Sequence, residues 1–293
     1  MSSPFEIRAE PVTLPSQVAM TFPAYRAAVR SPEAITVCAW AHGEPVGLAA
    51  AVPHPATPGE AVVLSISLKP DWRGRGGGTR LMAALEDAML ARGIGRATLT
   101  YMSGNPSTSA VERILARTGW AAPQPRMMIC YSTIAHLAEG DWVRKHRGGD
   151  GAGFFPWREL TAAERAGLTG FPAALSPFRD EEKIEPANSI GVRRNGVVAG
   201  WFLTHRIAPD TVRYSTLYLD AAIAGRGLGF AMAAEAVWRH AHTTLALTAP
   251  NCTMDFSPGN AMMSNFVRKR LLPTLDATKI SMGSEKTLGR KLS

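Results

Sequence analysis

The sequence predicts an α/β protein made of two similar domains in tandem. The chain of 293 residues is long enough for two ordinary domains. Its two halves run through the same order of elements: hairpin, strand, glycine loop, helix, strand, and a helix led by an asparagine. The offset between the halves is roughly 150 residues, which is the length of a domain.

Residues before about Pro32 are predicted to form one or two helices, interrupted by proline residues. The elements of the first half follow after them. Residues 34–40 and 46–52 form a predicted hairpin. Leu64, Ile66 and Leu68 alternate with polar residues, which is typical of a half-buried strand. Apolar residues then recur at helical spacing until Gly93 ends the helix. Further strands are predicted at 97–101 and 127–131, with a helix between them.

Residues 139–153 are polar and rich in glycine, so we interpret them as the linker. This places the domains at residues 1–138 and 154–293. In the second half, Thr161 and Glu164 have the spacing of a capping box, and Asn195-Gly196 predicts a hairpin. Predicted strands follow at 214–219, 245–248 and 279–282, with helices after Gly229 and Asn260.

The most informative stretch is the glycine loop between the strand at 64–68 and the following helix. Such a loop presents backbone N–H groups at the positive end of the helix dipole, where a pyrophosphate can bind. The Walker loop and the dinucleotide-binding pattern are both absent. Arg73, Gly76 and Gly78 fit Arg/Gln-x-x-Gly-x-Gly/Ala, which resembles the acyl-CoA loop of the GNAT N-acyltransferase superfamily. Asn105, Ala110 and Gly119-Trp120 resemble its second signature.

The resemblance extends to the second half, where Gly227 and Gly229 remain but Ala224 replaces the arginine. It implies two tandem GNAT-like domains, each a mixed, mostly antiparallel sheet with splayed central parallel strands flanked by helices. It also implies acetyl-CoA, or another acyl-CoA, as the cofactor. The implied binding residues are Ile66, Ser67, Leu68, Arg73, Gly74, Arg75, Gly76, Gly77, Gly78, Thr79 and Asn105 in the first half, and Leu217, Leu219, Gly225, Arg226, Gly227, Leu228, Gly229 and Asn260 in the second.

The proton donor of the family is usually a tyrosine in the asparagine-led helix, and here that position holds Leu115 or Val267. Substitutes must come from elsewhere. The candidate catalytic residues are Tyr218, Asp255 and Ser257. Further polar groups expected near a cofactor mouth are Tyr101, His205, Tyr214 and Asp220, most of them in the second half. We therefore expect tighter CoA binding in the first half and turnover in the second.

Charge and composition argue against nucleic-acid-binding, membrane-spanning and metal-binding classes of protein. The formal net charge is +8, which suits a polyanionic cofactor, and no basic block with interleaved aromatic residues indicates nucleic-acid binding. The sequence has no apolar run long enough to predict a membrane span. It also has no spacing of Cys and His residues that would predict a metal site. Three scattered cysteines indicate a reducing cytoplasm.

Two hypotheses remain. The first is an acyl-CoA-dependent N-acyltransferase whose small-molecule amine substrate attacks the thioester directly. The alternative is a non-catalytic CoA-binding or sensing protein, which the missing tyrosine donors allow.

Overall fold

The computed structural model describes residues 5–146, 153–225 and 227–289, so Arg226 of the predicted loop lies outside the described residues. The chain forms two compact units, of residues 1–126 with 280–293 and of residues 127–279. The predicted α/β class is confirmed, because each unit is a mixed sheet flanked by helices.

The first unit begins with strand β1 (Glu6–Ala9) and the single-turn helix α1 (Pro15–Val18). Its remaining elements are β2 (Ile35–Ala41), β3 (Glu44–Pro53), β4 (Glu60–Leu68), α2 (Gly77–Ala91), β5 (Arg96–Met102) and α3 (Thr108–Arg117). The strands β1 to β5 lie side by side in chain order, antiparallel except for the parallel pair β4 and β5. One-turn 3-10 helices occur at Pro23–Tyr25, Ala28–Arg30 and Pro70–Trp72.

The second unit contains β6 (Gln124–Thr133), α4 (Ile134–Ala138), α5 (Asp141–His146), β7 (Phe154–Pro156), α6 (Ala162–Gly167), β8 (Ile190–Arg194), β9 (Val197–Ala208), β10 (Thr211–Leu219), α7 (Leu228–Ala241), α8 (Leu245–Thr248), β11 (Asn251–Phe256) and α9 (Ala261–Phe266). A π-helical turn, Val267–Leu271, continues α9. The last strand of the chain, β12 (Ala277–Thr287), lies mostly in the first unit, to which the chain returns at residue 280. The pair β10 and β11 is parallel and corresponds to β4 and β5.

The final strand of each half pairs within the unit of the other half. Strand β6 pairs antiparallel with β11, and β12 pairs antiparallel with β5. The compact units therefore differ in their bounds from the predicted domains 1–138 and 154–293. Sequence patterning identifies a strand but not its partner, because alternation of side chains is the same whichever strand lies alongside.

Three local predictions differ from the structure. Residues 245–248 form helix α8 rather than a strand, and the strand follows at Asn251–Phe256. Part of the predicted linker, Asp141–His146, is helix α5, which buries Trp142 and Val143. The start of the chain contains β1, whose polar residues gave no alternating pattern. The capping box of Thr161 and Glu164 at α6 is present as predicted.

Each unit has its own hydrophobic core under its sheet. In the first unit, α2 buries Leu81, Met82, Leu85 and Met89 against the strands. In the second unit, α7 buries Met232, Ala236 and Val237 in the same way. None of the helices in the described ranges is long and apolar enough to cross a membrane.

Candidate active site

In the first unit, the central parallel strands diverge. Pairing between β4 and β5 runs from Glu60 with Arg96 to Val63 with Leu99 and ends there. The register of β4 against β3 shifts next to Leu64, and β4 then continues along β3 as far as Leu68. Because the far end of β4 is paired on its β3 side alone, the backbone of Ser65 to Leu68 borders an opening between the two parallel strands.

The glycine loop lies at the open end of β4. Gly74 and Gly76 have left-handed backbone, with φ of 76° and 78°, and Gly76 is the N-cap residue of α2. The Arg73 side chain folds back, and its Nε donates to the Leu68 carbonyl at 3.0 Å. The first amides of α2 have no partners within the helix, so they form a positive end suited to an anion.

The four glycines of this loop have different roles. At Gly74 and Gly76 no atom lies within 4 Å of an added Cβ, so the positive φ is what favours glycine there. A Cβ on Gly77 would lie 2.9 Å from Phe5 Cζ, and one on Gly78 would lie 2.5 Å from Ile114 Cδ1. Gly77 and Gly78 therefore permit close packing at the start of α2, a role that the motif alone did not reveal.

A cavity of about 680 Å³ lies where β4 leaves β5. Its walls are the segment after α1, the outer half of β4, the first turn of α2 and one face of α3. The lining residues are Ala19, Met20, Thr21, Phe22, Pro23, Arg26, Ser65, Ile66, Ser67, Leu68, Arg73, Gly78, Pro106, Ser107, Ala110, Val111 and Ile114. The cavity thus brings together the predicted Ile66 to Leu68 backbone, Arg73 and Gly78. Asn105 is not part of this lining, and its backbone N–H donates to Thr108 Oγ1.

The first cavity contains one buried polar contact. Thr21 Oγ1 and Ser65 Oγ lie 2.8 Å apart, and both residues are more than nine-tenths buried. Sequence analysis missed Thr21, because it lies in a short irregular segment without a pattern. Leu115, at the position of the usual donor, is buried in the core of this unit.

The second unit repeats this backbone plan. Pairing between β10 and β11 runs from Thr211 with Asn251 to Tyr214 with Met254. A register shift against β9 follows next to Ser215. Gly225 and Gly227 have φ of 86° and 75°, and Gly227 is the N-cap residue of α7. The two loops thus have the same left-handed glycines, although their side chains differ.

The cavity of the second unit is smaller and mostly apolar. Its volume is about 290 Å³, and its lining includes Leu217, Gly229, Phe230, Asp255 and Asn260. The Phe230 and Phe266 rings lie 4.7 Å apart at this site. Met262, Met263 and Phe266 also line the cavity, and Met262 is 67% exposed. Leu219 and Leu228 pack against the core instead, and Val267 is buried in it.

The three candidate catalytic residues do not lie together. Tyr218 stacks on Trp201, with ring centroids 4.4 Å apart, and is not part of the cavity lining. Asp255 lines the cavity, and its Oδ1 lies 4.0 Å from Arg213 Nε. Ser257 Oγ accepts from the Gly259 N–H at 3.3 Å, which is a turn contact.

Two other polar candidates are held by structural contacts. Tyr101 Oη donates to Glu112 Oε1 at 2.9 Å, and burial together with this carboxylate raises the pKa of Tyr101 well above its ordinary value. His205 is buried, and its Nε2 lies 3.1 Å from the Arg179 carbonyl. Burial lowers the pKa of His205, which favours the neutral imidazole.

A tyrosine–histidine pair lies beside the second cavity. Tyr214 lines the cavity, and its Oη is 3.0 Å from His240 Nδ1. His240 Nε2 is 2.8 Å from the Ala249 carbonyl, so Nε2 donates and Nδ1 accepts the tyrosine proton. Sequence analysis missed His240, because it lies on the buried face of α7 like an ordinary core residue.

Comparison with known proteins agrees with this geometry. Residues 4–115 match the model of the acetyltransferase (GNAT) family. A comparison with curated protein sequences found no match.

Among the described residues, no group of three or more His, Cys, Asp or Glu side chains could hold a metal ion.

Two solved structures share the fold over almost the whole chain. The tandem GNAT protein from the clavulanic acid biosynthesis pathway is 13% identical, with a TM-score of 0.63 over 98% of this chain and 99% of that one. A GCN5-related N-acetyltransferase from Sphaerobacter thermophilus is 15% identical, with a TM-score of 0.57 over 100% of this chain and 99% of that one. Residues 4–115 therefore match the acetyltransferase (GNAT) family, and the chain shares the fold of a tandem GNAT protein over almost its whole length.

Proposed function

We propose that the protein transfers an acetyl group from acetyl-CoA, or a related acyl group, to the nitrogen of a small-molecule amine, and that the first unit carries out this reaction. The observation that supports this most directly is the cavity of about 680 Å³ beside the diverging end of β4. Arg73 and Gly78 of the glycine loop line it on one side, and residues of α3 line it on the other. A cleft of this size with few polar groups is typical of a cofactor site.

The residues present fit coenzyme A. The amides that follow Gly76 at the start of α2 would bind the pyrophosphate. Arg73 adds positive charge and is oriented by its contact with the Leu68 carbonyl. The backbone of Ile66 to Leu68 would pair with the pantetheine arm. One of these N–H groups would donate to the thioester oxygen, an effect typically worth about 2.7–4 kcal/mol.

The chemistry supported here is direct transfer. The neutral amine attacks the thioester carbon, a C–N bond forms and the C–S bond breaks. The nitrogen loses one proton, and the sulfur of CoA gains one. Holding both reactants in one cleft contributes to the acceleration by positioning, because a bimolecular step becomes effectively unimolecular.

A specific observation favours the alternative, a CoA-binding module without catalysis. Leu115 stands at the usual donor position, 1% exposed, and cannot donate a proton. The described lining of the first cavity also lacks carboxylate, imidazole and phenol groups.

One experiment separates the two functions. We expect saturating acetyl-CoA to raise the melting temperature, since a ligand present at 100 times its Kd stabilises the folded state by about 2.7 kcal/mol. Incubation with an amine library, followed by mass spectrometry, should then reveal an acetylated amine and free CoA. Stabilisation without any product would support the binding module, and the absence of stabilisation would contradict both functions.

A further inference from the structure

The Thr21 and Ser65 hydroxyls form a buried hydrogen-bonded pair in the lining of the first cavity. Thr21 follows α1, and its N–H donates to the Val18 carbonyl at 3.2 Å, which fixes the segment. Ser65 is the second residue after the last β4–β5 pair at Val63, so it lies where the strands begin to part. Their oxygens are 2.8 Å apart, and either one can be the donor.

The described lining contains no carboxylate, imidazole or phenol side chain. Its other polar side chains are those of Arg26, Ser67, Arg73 and Ser107. Titratable side chains on the surrounding elements lie outside the lining, namely Glu10, Tyr25, Glu44, Glu60, Lys69, Asp71, Glu86, Asp87, Tyr101 and Glu112. Glu10 accepts from Gln17 and Trp40, and Glu112 accepts from Tyr101, so both are engaged elsewhere.

We propose that the Thr21 and Ser65 hydroxyls form a proton shuttle that carries a proton from the attacking amine to the departing sulfur. This inference rests on the proposed transferase function. As the C–N bond forms, the nitrogen gives its proton to one hydroxyl oxygen. That hydroxyl passes its own proton to the second hydroxyl, which in turn protonates the sulfur as the C–S bond breaks. Each oxygen gains one proton and loses one, so neither is left ionised and no further reactant is needed.

A shuttle of this kind explains how the cleft could work with a leucine at the usual donor position. Hydroxyl groups ionise too weakly to act as a lone acid or base near neutral pH, but a hydrogen-bonded pair can transfer protons in concert. The enzyme then contributes no titrating group of its own. The pH dependence of kcat/KM should follow the ionisation of the amine substrate, because only the neutral amine attacks.

The first test removes each hydroxyl. Ser65→Ala and Thr21→Val should lower kcat by about 100-fold or more, the usual contribution of positioned proton transfer. The Kd of acetyl-CoA, measured by calorimetry, should change less than about twofold, because the phosphate loop is untouched. Thr21→Ser keeps the hydroxyl and should recover more of kcat than Thr21→Val does. Thr36→Val is the matched control, since Thr36 Oγ1 donates to the Glu10 carbonyl outside the cavity.

The second test compares two amine substrates whose pKa values differ by about 2. The inflection in kcat/KM should move with the pKa of the amine. An inflection at the same pH for both amines would overturn the shuttle, since it would reveal an enzyme base. Full turnover in both Ser65→Ala and Thr21→Val would also overturn it. If the wild-type protein yields no product with any amine, the transferase function fails and the shuttle with it.

Discussion

Gly78 lies directly against Ile114, and a Cβ on Gly78 would come within 2.5 Å of Ile114 Cδ1. We expect Gly78→Ala to destabilise the protein by about 1 kcal/mol, the low end of the cost of overpacking, because Ile114 Cδ1 is the end of a half-buried side chain that can turn aside. Ile114→Val removes the clashing atom, so the double variant should recover most of that loss. Urea denaturation of the three variants measures both effects. Equal stability of Gly78→Ala and wild type would contradict this packing role.

Gly76 and Gly227 allow a matched comparison of the two loops. Their φ angles are 78° and 75°, and neither has an atom within 4 Å of an added Cβ. Gly76→Asp and Gly227→Asp should therefore cost similar stability, about 1–2 kcal/mol of backbone strain. We expect only Gly76→Asp to weaken acetyl-CoA binding strongly, because its carboxylate repels the phosphate groups of the complete loop.

Turnover of the same two variants tests which unit is catalytic. We expect Gly76→Asp to lose the release of free CoA and Gly227→Asp to keep it. The opposite result would support turnover in the second unit, as expected from its polar residues, and would leave Asp255 as the candidate base beside that cavity.

Lys286 neutralises a carboxylate within the first unit. Its Nζ lies 2.5 Å from Glu86 Oε2, and Trp120 Nε1 donates to Glu86 Oε1 at 2.7 Å. Lys286→Met should destabilise the protein by about 3 kcal/mol, since it leaves a mostly buried charge unpaired. Arg96→Met is the control, because Arg96 makes exposed ion pairs whose loss should cost much less stability. Thermal and urea denaturation should rank the two in this order.

The cysteine thiols should not react with thiol reagents in the folded protein. Cys38, Cys130 and Cys252 are all buried, and burial raises the pKa of Cys130 to about 11 and that of Cys252 to about 12. The thiolate is the reactive form, so an aromatic disulfide reagent at pH 8 should react only after denaturation, with three thiols per chain. Rapid reaction of the native protein would contradict this. If the protein thiols do not react, the same reagent can measure the CoA released during turnover without interference from them.

The sequence predicts the fold class and the glycine loop because both depend on residues that are close together in the chain. The alternation around Ile66 and the spacing of glycines around Gly76 depend on neighbours in the chain. Residues 245–248 were predicted as a strand because a short apolar run suits either element.

The site side chains were harder to predict, because their environment depends on distant residues. Tyr218 has the alternation of a strand residue, but Phe171 and Trp201 from elsewhere in the chain decide that it packs among aromatic rings. Thr21 acquires its partner Ser65 only when a segment 44 positions away folds over β4. Sequence spacing carries no signal for such contacts.

The placement of β12 in the first unit has a consequence for synthesis of the protein. On the ribosome, β5 emerges early, but residues 281–287, which pair with it, follow only after the whole of the second unit. At ordinary translation rates the nascent chain spends roughly 9–36 s with β5 as an open edge. An open edge can pair with other chains. Premature termination before residue 280 would make this exposure permanent, so the sheet of the first unit depends on translation continuing through residues 281–287.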